Sequence, residues 1–142
     1  MGKTIILYAS LTGNTQMAAM QLAVEVAIDD CLSVEEVTQA QIDSAQLVVI
    51  GTSTWGEGDY NPACEDFVAR VNNSELNFSS KKVGFFGLGD STYQIFCNAV
   101  DRLKAELVKN GAVAAGEVHK IDGFLDDDKQ AELKKWTESL SP

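Results

Sequence analysis

Basic residues are scarce in this chain. Eleven Lys and Arg stand against 21 Asp and Glu, and the formal charge is −10. A surface of that sign repels phosphate backbones and anionic lipid, which argues against nucleic acid or a membrane as partner. The same acidity either steers docking onto a basic protein surface or simply keeps the protein soluble. Cysteines are few as well: Cys31, Cys64 and Cys97 lie far apart, with no C-x-x-C pair to suggest a redox dithiol or a zinc site. Free, reduced thiols and no metal are expected. Long apolar runs are absent too, since no stretch approaches the roughly 18 residues a membrane helix requires. The opening MGKTIILYAS carries one lysine before a short apolar run and reads as a first strand rather than a signal sequence. The expected location is the cytoplasm. With 45% hydrophobic and 23% charged residues the composition is that of an ordinary globular protein, and the length of 142 residues suits one domain, 1–142. No repeat, low-complexity tract or linker interrupts it.

Four short apolar runs are present: TIILY from Thr4, LVVIG from Leu47, VGFFGLG from Val83 and the weaker AVAAGEV from Ala112. They are rich in β-branched or aromatic residues and do not alternate in polarity, as suits strands buried on both faces of a parallel sheet. SVEEV from Ser33 offers an edge strand. Helical spacing falls between the runs: Ala18, Ala19, Leu22, Ala23 and Val26; Phe67, Val68 and Val71 after Pro62; Val100, Leu103, Leu107 and Val108; Leu133, Trp136 and Leu140. Strands alternating with four helices predict an α/β fold, a doubly wound five-stranded parallel sheet with helices on both faces. Ligands of such sheets sit beyond the carboxyl ends of the strands, where the winding reverses.

Three loops lie at that edge. SLTGNT, Ser10 to Thr15, leads directly into the first helix and gathers three hydroxyls, an amide and backbone N–H groups at a helix N-terminus. That is a seat for a phosphate, with Gly13 allowing close approach of the backbone. It equally suits an ordinary capped helix start, Thr12 or Asn14 satisfying the orphan amides. Neither G-x-x-x-x-G-K-[ST] nor a well-placed G-x-G-x-x-G is present, which disfavours nucleoside triphosphate chemistry. TSTWGEGD, Thr52 to Asp59, and GLGDSTYQIFC, Gly87 to Cys97, each add an aromatic, Trp55 and Tyr93. Alone, either ring could be a packing residue. Together, they could hold a flat ring between them, offset stacking contributing roughly 0.5 to 1.5 kcal/mol per pair.

In order and position, these three segments resemble the phosphate loop and the two isoalloxazine loops of flavodoxins, and the likeness covers the whole chain. The resemblance implies the strand order 2-1-3-4-5 with FMN at the switch point, a property carried over from that family. It implies that Ser10, Thr12, Asn14 and Thr15, with backbone at Leu11 and Gly13 and with Ser53, hold the phosphate. Trp55 and Tyr93 would flank the ring. Backbone of Thr54, Gly56, Leu88, Gly89, Asp90 and Cys97 would meet its polar edge, and Phe96 belongs to the same loop. Leu11 stands where many relatives have a small polar residue, and the fifth strand lacks the long insertion of the long-chain type, so the chain resembles the short-chain type.

The implied function is that of a low-potential electron carrier, docking transiently with a reductase and with acceptor redox enzymes, as a monomer that turns over no substrate. The Gly56 carbonyl would turn with redox state, a change glycine allows cheaply. Asp90, with Glu57 and Asp59, would resist a second negative charge on the ring. At about 6 Å and an effective dielectric near 20, one such carboxylate gives about 2.8 kcal/mol, on the order of 120 mV. A flavin protein with its own quinone-reductase or ribonucleotide-reductase-activating role is the alternative. A hydrolase is disfavoured because GTSTWG misses the nucleophile elbow by one residue, leaving His119 as a surface or strand-end residue. A phosphoacceptor receiver is disfavoured because Ala9, Ser10, Thr52 and Ser53 stand where its acids would be.

Overall fold

The structure, a computed structural model, describes residues 3–9, 14–28, 30–55, 59–60, 62–89, 98–122 and 126–140. Its strands are β1 (Lys3–Ala9), β2 (Asp30–Ser33), β3 (Ala45–Trp55), β4 (Asp59–Tyr60), β5 (Lys82–Gly89), β6 (Val113–Ala114) and β7 (His119–Asp122). The helices are α1 (Asn14–Glu25), α2 (Gln39–Ser44), α3 (Pro62–Asn72), α4 (Asn98–Lys109) and α5 (Asp127–Ser139). The parallel lanes run β2-β1-β3-β5, with β6 and β7 both pairing the outer side of β5. Five parallel lanes in the doubly wound order are therefore present.

The apolar runs form strands because neighbouring residues must be buried on opposite faces. Ile5, Leu7 and Ala9 enter one core with Val48, Ile50, Val83 and Phe85, beneath α2, α3 and α4. Ile6, Leu47, Val49, Phe86 and Leu88 enter the other, beneath α1 and α5. An alternating strand could serve only one of these cores. Glycines accommodate the large side chains: the ring of Phe86 lies over Gly51, Val100 over Gly87, and Leu140 with Trp136 over Gly84. Trp136 meets Phe86 edge to face at 6.2 Å and donates through Nε1 to the Glu117 carbonyl at 2.9 Å, fastening α5 to the β7 edge.

Several boundaries differ from the sequence reading. The second strand lies at Asp30–Ser33, just ahead of SVEEV, because Ser33 to Glu36 closes a turn through Glu36 N–H to the Ser33 carbonyl at 3.0 Å. A fifth helix, α2, follows it. Thr38 accepts from the Gln41 amide while the Gln41 side chain accepts from the Thr38 amide, a reciprocal cap that carries a six-residue helix. The last lane, expected as one strand over Ala112 to Val118, is split into β6 and β7, with Gly116 between them at a φ of +77°. Val108, expected on the buried stripe of α4, is 45% exposed.

Candidate functional site

The carboxyl ends of three strands are brought level. Ala9 of β1 pairs with Thr52 of β3, and Thr52 and Ser53 pair with Gly87 and Leu88 of β5. Thr52, fully buried, donates to the Ala9 carbonyl at 3.5 Å and ties the first two ends together. The chain winds outward from β1 to β2 and then returns across β1 to β3, so the reversal falls between the loops that leave β1 and β3. That is where an open sheet of this kind offers its crevice.

Asn14 opens α1 at this crevice and Thr15 follows in the first turn. The Thr15 side chain is completely buried, and its Oγ1 has no hydrogen-bond partner among the described residues. An unsatisfied buried hydroxyl costs about 1 to 3 kcal/mol, so its retention beside four orphan helix amides has the chemistry of an anion seat. The first turn of α1 contains no acidic residue to oppose an anion. A phosphate therefore fits the groups present.

Five of the eight residues of TSTWGEGD are strand rather than loop. β3 continues through Trp55, and β4 returns antiparallel with Thr54 opposite Tyr60 and Trp55 opposite Asp59. The segment is a hairpin, for which the β-branched Thr52 and Thr54 beside an aromatic were the signal. Leu88 and Gly89 end β5, with the Leu88 side chain buried on the α1 and α5 face and its backbone at the crevice edge. Of the other expected site residues, Ser10, Leu11, Thr12, Gly13, Gly56, Asp90, Tyr93, Phe96 and Cys97 lie outside the described residues, as does Glu57.

The nucleophilic and basic groups outside the crevice are poorly suited to chemistry. Burial pushes the Cys64 thiol up to about 11, against the hydrogen bond between Cys64 and Thr52 and the charge of Arg102. Burial alone raises Cys31 to about 11. His119 begins β7, stacks on Trp136 at 5.5 Å and has its pKa lowered by burial. Among the described residues no cluster of three His, Cys, Asp or Glu could hold a metal, and no helix is long and apolar enough to cross a membrane.

Comparison with known proteins agrees with this architecture. The flavodoxin family model matches residues 6–136. The flavodoxin of Maridesulfovibrio salexigens is 36% identical, over 99% of this chain and 98% of that one. A probable flavodoxin 2 of Bacillus subtilis is 34% identical, over 94% of this chain and 90% of its own length. The solved oxidised flavodoxin 2 of Bacillus cereus matches with a TM-score of 0.83 at 28% identity, covering 96% of each chain. With the sheet order, the level strand ends and the matched length in agreement, the chain belongs to the flavodoxin family, whose members bind FMN and carry electrons rather than turn over a substrate.

Proposed function

We propose that this protein carries electrons on a non-covalently bound FMN seated at the carboxyl ends of β1, β3 and β5, between a reductase and acceptor redox enzymes. The observation that carries this is the buried Thr15 hydroxyl in the first turn of α1, which has no partner among the described residues. When bound, FMN supplies one- and two-electron redox chemistry. Thr15 would donate to the phosphate, together with Ser10, Thr12, Asn14 and Ser53 and the amides of Leu11 and Gly13. Trp55 and Tyr93 would cover the two ring faces and exclude water. Backbone at Thr54, Gly56, Leu88, Gly89, Asp90 and Cys97 would hold the polar edge of the ring, and Phe96 would support that loop.

The acids near the hairpin set the sign of the potential. Asp59 is registered opposite Trp55 in the β3–β4 pair. A carboxylate there disfavours added negative charge, and Asp90 and Glu57 would act in the same sense, favouring a low potential. The remaining features of the reading are a monomeric, cytoplasmic carrier with small, transient interfaces.

Titration of the flavin-free protein with FMN tests the reading. Quenching of flavin fluorescence at one equivalent, and a yellow complex, are expected. A protein that takes up no FMN would refute it.

A further inference from the structure

The chain contains one Asn–Gly pair, Asn110–Gly111, and it stands where α4 ends. Such a pair is chemically labile, because glycine has no Cβ to keep its own amide nitrogen away from the preceding carboxamide. The turn needs the glycine all the same. Gly111 has a φ of +97° and its N–H donates to the Val108 carbonyl at 3.0 Å, while the Ala112 N–H reaches back to Leu107 at 3.0 Å, the left-handed close of a helix. A Cβ at Gly111 would also stand 3.1 Å from the Ser79 hydroxyl.

The Asn110 side chain is tied in place. Its Nδ2 donates to the Glu106 carbonyl at 2.8 Å and to Oδ1 of Asn72, the last residue of α3, at 3.0 Å. Asn72 Nδ2 donates in turn to the Glu106 carboxylate at 3.1 Å. Neither amide can be turned over without loss, since a main-chain carbonyl and a carboxylate only accept. Beyond the pair, the Gly111 carbonyl accepts from Ser80 N–H at 2.9 Å and Val113 N–H donates to Lys81 at 2.8 Å. The ends of α3 and α4 and the segment ahead of β5 therefore meet at this dipeptide.

We infer that Asn110–Gly111 is a latent deamidation site that the α3–α4 clamp keeps closed, so that it is modified in chains where this corner has opened. The site goes beyond the carrier reading and needs no flavin, lying at the opposite ends of α3 and α4 from the crevice. In the reaction the Gly111 amide nitrogen attacks Asn110 Cγ: the N–Cγ bond forms, the Cγ–Nδ2 bond breaks, and ammonia leaves with the proton that the attacking nitrogen gives up. Water then opens the resulting succinimide at either carbonyl, giving Asp or isoaspartate. One water is consumed, one ammonia is released, and nothing is oxidised or reduced. The folded geometry opposes each step. The attacking nitrogen is donating to Val108, the leaving nitrogen is donating to two acceptors, and ring closure requires the Asn110 side chain to swing away from α3. A local opening of two helix ends is enough to release them.

The product fits the clamp poorly. A carboxylate at position 110 has no proton for the Glu106 carbonyl or for Asn72 Oδ1. It also stands at i, i+4 from Glu106 and at a helix C-terminus, two placements that disfavour negative charge. Lys109, 3.9 Å from the Glu106 carboxylate, offsets part of this. A modified corner thus closes less firmly than the original.

The full chain, held at mildly alkaline pH in buffer and in urea, tests this, with Asp and isoaspartate at position 110 followed by peptide mapping. Conversion in the folded protein is expected to be at least about ten-fold slower than in the unfolded chain. Asn72→Ala removes the acceptor from an exposed residue and is expected to speed the folded reaction about three- to ten-fold, the loss of one hydrogen bond. Asn73→Ala, its neighbour, is expected to leave the rate unchanged. Should Asn72→Ala fold poorly, the parent chain in urea below its unfolding transition provides the same reading, conversion rising ahead of the loss of helix. Equal rates in the folded and unfolded chain would overturn the inference. So would an Asn72→Ala rate equal to the parent's, or an Asn73→Ala rate as high as that of Asn72→Ala. Asn110→Asp is expected to unfold at a lower urea concentration than the parent, and an equal midpoint would show that the modified corner closes as firmly as before.

Discussion

The ring of Phe86 occupies the space directly over Gly51: a Cβ built on that glycine would stand 2.1 Å from Cζ and under 3 Å from both Cε atoms. The two residues lie on neighbouring strands, and the ring is held from its other side by Trp136 at 6.2 Å. Gly51→Ala is therefore expected to destabilise the protein by about 2 to 3 kcal/mol, as overpacking does when the neighbour has little room to retreat. Phe86→Leu in the same chain should recover part of that loss. Urea unfolding of the two single variants and the double variant checks it; additive losses would mean that the clash is relieved elsewhere.

Thr15→Val should act in opposite directions on the flavin-free and flavin-loaded protein. Valine keeps the shape and removes the buried unpartnered oxygen, so the flavin-free form is expected to gain about 1 kcal/mol. FMN affinity is expected to fall by about ten- to a hundred-fold, the loss of one hydrogen bond to a charged group. Thermal unfolding without flavin and fluorescence titration with it provide the two readings. Equal affinity of the two proteins would remove Thr15 from the phosphate seat.

His119 makes stability depend on pH. Burial lowers its pKa beneath the ordinary 6.5, with the Glu132 carboxylate opposing, so the unfolded chain takes up the proton first. The contribution is complete above about pH 6.5 and is lost as pH falls through the lowered folded value. Unfolding free energy measured between pH 8 and pH 5 should fall more steeply for the parent chain than for His119→Gln. Parallel curves would count against it.

Cys31 and Cys64 should resist alkylation in the folded protein. With thiols raised to about 11, their thiolate fraction at pH 8 lies on the order of 100-fold beneath that of a free thiol. Mass mapping after brief iodoacetamide treatment is expected to find both unmodified, and both modified after unfolding in urea. Rapid labelling of Cys64 in the native protein would contradict its burial.

The sequence determined by itself whatever depends on composition and short-range period. TIILY, LVVIG and VGFFGLG became strands because residues buried on both faces leave a continuous apolar run, and Leu22, Leu103 and Leu133 mark helices whose inward stripe repeats every turn. The three loop motifs were legible because particular residue types stand directly after those strands. The tertiary structure decided what requires a partner in space. α2 is too short to show a period, although Thr38 and Gln41 had spelled out its cap. TSTWGEGD reads as a loop until Trp55 and Asp59 are seen to pair across a hairpin. Gly51 gives no hint of the ring above it, and the Thr15 hydroxyl shows itself buried and without a partner among the described residues only in the packed fold. Packing likewise decides which face of α1 turns inward: Met17, Met20 and Val24 are apolar like the core residues between them, yet all three are exposed.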